Sequence, residues 1–311
     1  MPVPIPPTGN PRRGALRPLL LAAAGIALSA CHPGNQEAKR LNRACEAGDA
    51  AACDSLGQKL LKGEYVLRDP PRAAQLLKKS CEGGVADGCA RLGVLYQGGT
   101  GIKRDSALAR EHFSRGCDGG AMDGCTRLGL LYRRGAGVAQ DLPRAAALFQ
   151  KACEGGSMTG CAQMGEVLTT GEGVPQDIAR AAMLFQRSCD GKALQGCVGL
   201  GRLHDTGSGV AQNDSLSTAL FQKACDGDEP TGCFYLGERY ANGKGVTQDY
   251  TRAVDLYFRA CDSRHGEACY RLSDLFEKGA GVRRRPEQAV RMKARACEYG
   301  YAAACPPPKG T

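Results

Sequence analysis

Two series of cysteines run through this chain in step, each with a period of 36 residues. One is Cys45, Cys81, Cys117, Cys153, Cys189, Cys225, Cys261 and Cys297. The other follows eight residues behind, as Cys53, Cys89, Cys125, Cys161, Cys197, Cys233, Cys269 and Cys305. Together they hold sixteen of the seventeen cysteines. A register kept this strictly marks tandem copies of one structural unit, each cross-linked in the same way.

Framed on the first cysteine, seven full units begin at residues 45, 81, 117, 153, 189, 225 and 261. In the third unit Leu128, Leu131 and Tyr132 are spaced i, i+3, i+4, on one face of a helix. Gly129 fills a slot that is glycine in six of the seven units, with Ser273 the exception. A glycine inside a helix costs about 1 kcal/mol relative to alanine, so its recurrence points to close packing by another helix backbone. The first helix ends at Gly135-Ala136-Gly137-Val138, matched by Gly171-Glu172-Gly173-Val174 and Gly243-Lys244-Gly245-Val246; glycine suits the left-handed residues that stop helices. Asp69, Asp105, Asp141, Asp177, Asn213 and Asp249 then stand where a second helix needs a cap. The seventh unit has Arg285-Pro286 instead and needs another start. Ala145, Leu148, Phe149 and Ala152 form the second helix's face. Each unit is thus an antiparallel helix pair that cannot bury its apolar face alone, so stacked pairs share a continuous core. The expected fold is all-α, a solenoid of helix pairs without an internal domain boundary.

The first cysteine of each pair ends a second helix, and its partner lies in the first turn of the next helix. Antiparallel neighbours joined by a short loop bring such Cα atoms within the roughly 4.4–6.8 Å a disulfide needs. The expected pairing is therefore Cys45–Cys53 through Cys297–Cys305. Each bridge closes a short loop worth on the order of 2–3 kcal/mol in the chain-entropy model. Residues 35–44 read as a lone helix of the second type, and Pro306-Pro307-Pro308 ends the helical array.

The remaining cysteine, Cys31, follows a basic segment (Arg12, Arg13, Arg17) and an apolar run from Leu19 to Ala30. That run is too short to cross a bilayer and reads as an export signal. Its end, Leu28-Ser29-Ala30-Cys31, resembles the lipobox of bacterial lipoproteins, which implies cleavage after residue 30 and acylation of Cys31. The organisation is then a leader at 1–30, a lipidated tether at 31–36, the solenoid at 37–305 and a tail at 306–311. Cleavage removes three arginines and no acid, lowering the net charge from +9 to +6. That charge is spread out, and aromatics are only 5% of the chain, so nucleic acid is not an expected partner. Beyond the cytoplasm the cysteines meet an oxidising compartment.

The pattern Leu128-Gly129-Leu130-Leu131-Tyr132 with Gly135, Gly137, Val138, Asp141, Arg144 and Ala145 resembles the Sel-one-like repeat, a relative of the tetratricopeptide repeat. With the cysteine pairs added, the resemblance is to the cysteine-rich secreted members, the Hcp type. It covers about residues 36–305, with departures at His204, Asn213 and Leu216 in unit five and at Ser273 and Arg285 in unit seven. It implies a right-handed α/α superhelix whose concave face is lined by first helices and binds protein segments. It also implies an alternative, a penicillin-binding protein or β-lactamase.

The residues do not carry that alternative. A serine β-lactamase needs Ser-x-x-Lys with Ser-Asp-Asn and Lys-Thr-Gly, and none occurs here; Ser80, Ser188 and Ser263 are followed three positions on by glycine. His32, His112, His204 and His265 form no metal or catalytic motif, and His112 stands in a column otherwise Leu or Met, as a packed residue would. The Gly-x-Gly segments lack the lysine of a phosphate loop, and the cysteine spacing is not that of zinc or redox Cys-x-x-Cys sites. No cofactor or metal is expected, and the sequence names no catalytic residue for a lactam hydrolase. What remains is a surface. Two first-helix columns vary: Gln58, Val94, Leu130, Glu166, Arg202, Glu238, Asp274, and Ser55, Arg91, Arg127, Gln163, Gly199, Tyr235, Arg271. On a binding face, Arg91 and Arg127 supply carboxylate forks, Phe234 and Tyr235 supply aromatic contact, and Glu166, Arg202 and Glu238 supply charge. The expected role is a lipid-anchored envelope scaffold that holds a protein, a peptide or a cell-wall component.

Overall fold

The computed structural model describes residues 33–306, so the leader, Cys31 and residues 307–311 lie outside the described part. The order is α1 (Pro33–Glu46), α2 (Ala50–Lys62), α3 (Pro70–Glu82), α4 (Ala86–Gly98), α5 (Ser106–Asp118), α6 (Met122–Arg134), α7 (Leu142–Glu154) and α8 (Met158–Thr170). It continues with α9 (Ile178–Asp190), α10 (Leu194–Thr206), α11 (Asp214–Asp226), α12 (Pro230–Asn242), α13 (Tyr250–Asp262), α14 (Gly266–Lys278) and α15 (Pro286–Glu298), then a 3-10 turn at Ala302–Ala304. Even-numbered helices are the first of each pair, here A helices; odd-numbered ones, with α1 among them, are B helices. Residues 33–36, read above as tether, are instead the first turn of α1; a proline is well placed to open a helix because its missing N–H has no partner there anyway.

The chain divides into two compact units. The first holds α1 to α3 together with residues 100–102. Its core is Ala38, Leu56, Leu60, Ala73 and Leu76. The second runs from Ala86 through the C-terminal helices and buries one long core in which Phe149, Phe185, Phe221 and Tyr257 recur at the 36-residue period.

The expected caps all form: Asp69, Asp105, Asp141, Asp177, Asn213 and Asp249 accept from first-turn amides of their B helices. Arg285 makes no side-chain cap, and Pro286 opens α15. Each B helix then closes its C-terminus with a left-handed residue, so that at Gly120 the following amide of Ala121 donates to Gly116 at 2.8 Å. This reversal brings the two cysteines together. Seven cystines have the eight-residue separation, with Cα–Cα distances from 4.4 to 4.8 Å. Cys81 and Cys89 are also disulfide-bonded.

The glycine slot is expected to admit a neighbouring helix backbone, and at Gly57 and Gly93 the Ala73 and Ala109 carbonyls do come within 3.4 and 3.1 Å of an added Cβ, but the nearest atoms throughout belong to a B-helix side chain. A Cβ at Gly129 would lie 2.6 Å from Phe149 Cε1, and the same aromatic column meets Gly93 (Phe113), Gly165 (Phe185), Gly201 (Phe221) and Gly237 (Tyr257). Each A helix gives up a side chain so that its own B helix can lay a large ring flat on the backbone. The exceptions follow the rule. Gly57 meets Leu77 at 3.0 Å, and where the ring column becomes Lys293, the glycine has become Ser273.

Gly129→Ala forces a fully buried ring to move, and overpacking of this kind costs about 1–3 kcal/mol. Ser273→Ala gives up only the Ser273 Oγ bond to the Tyr270 carbonyl and costs no more than about 1 kcal/mol. Urea unfolding of the two oxidised variants measures the difference; equal losses would refute the ring-on-glycine account.

Candidate binding surface

Within the second unit, successive A helices pack on one another from α4 through α12, more extensively than successive B helices do. The A helices are therefore the inner layer of the stack. Their apolar columns face the B helices, which leaves the two variable columns on the other side. Arg91, Arg127, Glu166, Tyr235 and Glu238 are half-buried there, and Arg202 is exposed. Phe234 is not part of this surface. It is only 4% exposed, because it directly follows a bridged cysteine, in a column turned into the stack; it lies against His265 at 4.7 Å between ring centroids.

The row is cross-linked between repeats. Arg202 and Glu166, one period apart, approach to 3.5 Å, and Arg271 Nε lies 3.2 Å from Glu238. Glu238 also accepts from the hydroxyl of Tyr257, which takes the place of a phenylalanine in the ring column; burial, then this carboxylate, pushes that phenol up. Glu238 is thus held by inward partners. Tyr235 stacks on Phe221 at 5.0 Å, and burial raises its pKa. Arg133 donates to both oxygens of Glu172, at 2.7 and 3.3 Å, and this pairing holds the carboxyl below its usual range. Arg127 makes no hydrogen bond or ion pair among the described residues and shares its row with half-buried Leu130 and Val94. Exposed pairs of this kind contribute ~1 kcal/mol at most, so the row can change without loss of the fold.

At Gly199 the Phe185 ring lies 2.5 Å from where a Cβ would stand, and a pocket of about 250 Å³ opens beside it. Phe185 forms part of its wall, with Glu166, Arg202, Thr169 and Thr206 around it. An apolar wall within a polar, charged rim suits one inserted side chain of a partner.

A second polar feature lies inside the stack. Position 239 belongs to a column that reads Leu95, Leu131, Val167, Leu203 and Leu275 in five other units and half-buried Lys59 in the first, yet here it is Arg239, 3% exposed. Its guanidinium reaches Asp205 at 2.8 Å and Asp214 at 3.5 Å, donates to Ser217 Oγ at 2.7 Å, and lies over the Phe221 ring. Lys244 pairs with Asp205 and reaches Asp214 at 3.4 Å. Burial would raise the Asp205 carboxyl, but the bonds from Lys244 and Arg239 hold it below its usual value. The reading of the sequence above does not name this cluster. Its signal there is a set of joint departures: arginine for leucine at 239, serine for the usual alanine at 217, and aspartate at 214 where units three and four have Leu142 and Ile178.

The serines and histidines weighed in the sequence take the following places. Ser80 and Ser188 are fully buried, and Ser188 Oγ donates to the Met158 carbonyl at 2.8 Å. His112 is buried and stacked on Tyr96 at 5.3 Å, as a packed residue. His204 Nδ1 is 3.0 Å from the Ala211 carbonyl. His265 caps α14, its Nδ1 accepting from the Ala268 amide at 3.2 Å, so the ring is neutral with its proton on Nε2; burial lowers its pKa. Among the described residues there is no His/Cys/Asp/Glu cluster of metal-binding form and no helix long and apolar enough to cross a membrane.

Fold and surface together define an α/α repeat protein whose constant columns pack and whose inner row varies from repeat to repeat. The chain belongs to the Sel1 repeat family: the family's model matches residues 50–85, 86–120, 123–157, 159–192, 194–229, 230–265 and 266–301. Comparison with curated proteins found no match. Among solved structures, the chain is similar to c5321, a protective antigen present in uropathogenic Escherichia coli strains, at 26% identity and TM-score 0.60 over 86% of this chain. The match spans 57% of that protein. A Sel1 repeat protein from Oxalobacter formigenes matches at 23% identity and TM-score 0.60, over 86% of this chain and 77% of the other. Cysteine rich protein B of Helicobacter pylori matches at 27% identity over 42% of this chain and 96% of its own, with TM-score 0.35.

Removing the Asp205 carboxylate (Asp205→Ala) leaves a buried cation short of a partner and costs about 2 kcal/mol. Restoring the common column with Arg239→Leu plus Ser217→Ala stays within about 1 kcal/mol of the parent or exceeds it, because apolar packing replaces a buried ion pair at little cost. Chemical denaturation of both variants decides this; a large loss in the double variant contradicts it.

His265 gives a pH signature. Its folded pKa lies below the unfolded value near 6.5, so the unfolded chain binds the extra proton. The stability of the cap is complete above that pH and falls as pH drops toward the folded pKa. His265→Asn keeps an acceptor at the cap and removes this slope. Unfolding midpoints measured between about pH 5 and 7 read it out; an unchanged slope would refute the neutral-cap assignment.

Proposed function

We propose that this chain is an exported, lipid-anchored scaffold that holds a protein segment on the A-helix row of its second unit. Sel1 repeat proteins generally mediate protein–protein interactions. The observation that carries the reading is the row itself: half-buried side chains that differ from repeat to repeat while the columns behind them stay constant. Repeat proteins bind through surfaces of this kind. The pocket at Gly199 takes one anchoring side chain of the partner, and Arg127 takes a carboxylate, for which a guanidinium offers a planar two-donor fork. The disulfides place the protein in an oxidising compartment, and the Leu-Ser-Ala-Cys ending supports an acyl anchor on Cys31. A cell-wall component is the alternative occupant of the same row, and the experiment below separates it from protein.

The test uses a photo-crosslinking amino acid at Gln163, in the row beside the pocket, and at Asp255, on the exposed side of α13, in cells that make the protein. The reading expects one defined adduct from position 163 and none from 255, with peptide mass spectrometry identifying its protein content. Adducts equally frequent at both sites, or a purely glycan adduct at 163, would overturn the protein-scaffold reading. Metabolic palmitate labelling, lost in Cys31→Ser, tests the anchor separately.

A further inference from the structure

The loop between α2 and α3 departs from every other loop of its kind in the chain. Six of the seven units place a glycine at its third position with a left-handed backbone: Gly101, Gly137, Gly173, Gly209, Gly245 and Gly281, with φ from 67° to 76°. The first unit places Tyr65 there with φ of 59°. An L-residue held in that region gives up roughly 1–2 kcal/mol, a cost the other units avoid. Two positions on, where the other loops carry Lys103, Ala139, Pro175, Ala211, Thr247 and Arg283, the first unit has Leu67. Val66 between them packs on the core of the first unit. The flanking pair points outward: Tyr65 is 57% exposed and Leu67 is 91% exposed. An aromatic and an aliphatic side chain are thus presented from a loop that the rest of the chain keeps small or polar.

The loop's place within the first unit says what it meets. Glu37, one residue past the first turn of α1, lies 3.3 Å from Lys59, in the last turn of α2. The beginning of α1 and the α2–α3 loop are therefore at the same end of this unit. Cys31 precedes the start of α1 at Pro33 by two positions. Exposed Lys62 and Arg68 border the loop, and Lys62 pairs with Glu64 at 3.4 Å. Tyrosine and leucine between basic residues suit the boundary between lipid headgroups and acyl chains, where amphipathic rings settle and cations meet anionic lipid.

We propose that Tyr65 and Leu67 dock this loop on the bilayer that receives the Cys31 acyl chains, an inference that rests on the anchor reading above. Two side chains alone bind a membrane weakly. An anchor on Cys31, two positions before α1, keeps them at high effective concentration, which turns a weak contact into a lasting one. The loop adds a protein-borne contact to the acyl anchor and limits how the first unit can turn about it.

The chain contains no tryptophan, so Leu67→Trp introduces a unique fluorophore at an exposed site. Produced from residue 31 onward without acylation, the oxidised protein has Cys31 as its thiol outside the sixteen bridged cysteines, and a maleimide-bearing phospholipid couples it to vesicles of phosphatidylethanolamine with a minority of phosphatidylglycerol. The coupling is chemical, so contact is read whether or not the cell acylates Cys31, and failure of the anchor reading shows in palmitate labelling instead. The proposal expects the emission of the L67W variant to shift to the blue and to be quenched by lipids brominated in their acyl chains. Ala139→Trp, at the equivalent position of the third unit, keeps the emission of tryptophan in water. Restoring the common glycine with Tyr65→Gly in the Leu67→Trp background reduces the quenching. An indole that stays in water while the L67W conjugate floats with the vesicles would overturn the proposal. So would a shift that appears only when envelope proteins are added, since the loop's partner would then be a protein.

Discussion

The junction between the end of one B helix and the start of the next A helix is the constraint on which this structure depends. There the chain reverses through a left-handed residue, the A helix lies against the B helix terminus, and a cystine closes the turn. A Cβ at Gly124 would lie 3.0 Å from the Cys117 nitrogen, so the approach leaves no room for a larger residue. Because each junction is local, stability is distributed along the array rather than concentrated in one core. Repeat arrays are in any case close to sums of unit and neighbour terms, and a cystine at each junction limits the separation of neighbours even when one unit opens.

This distribution frees the inner row. Side chains at Arg127, Glu166, Gln163 and Arg202 bear on neighbouring repeats only through exposed pairs of small energy. The ring-on-glycine packing and the capped B helices hold the fold behind them. Arg239 shows the opposite arrangement: a charge brought into a core column requires companions at 205, 214, 217 and 244 before it is tolerated. Its bonds to Asp205 and Asp214 tie adjacent repeats together where most other units have an aliphatic residue.

The period of the cysteines makes the helix pairs, their caps and the cystine pairing legible in the sequence alone. The cause of the glycine slot is not legible there, because a recurring residue reports that something is constant without naming what it touches. The answer lies in a second column, where Phe becomes Lys293 as Gly becomes Ser273. Phe234 lies off the expected surface for a related reason. Its column varies from Asp54 through Thr126 to Tyr270, and a varied column reads as an exposed one, yet Asp54, Thr126 and Phe234 are all buried. Tyr65 is legible only by contrast, against the six units that obey the Gly-x-Gly rule. In a repeat protein, the unit that breaks a costly rule is where a separate task is to be sought.

The central claim is that constant columns hold the fold while the A-helix row holds the partner. The most direct test is one variant carrying Arg127→Ala, Glu166→Ala and Arg202→Ala together, measured both for unfolding free energy and for the crosslink formed from position 163 in cells. The account predicts stability within about 1 kcal/mol of the parent and loss of the adduct. Collapse of the fold, or an undiminished adduct on a stable protein, would contradict it.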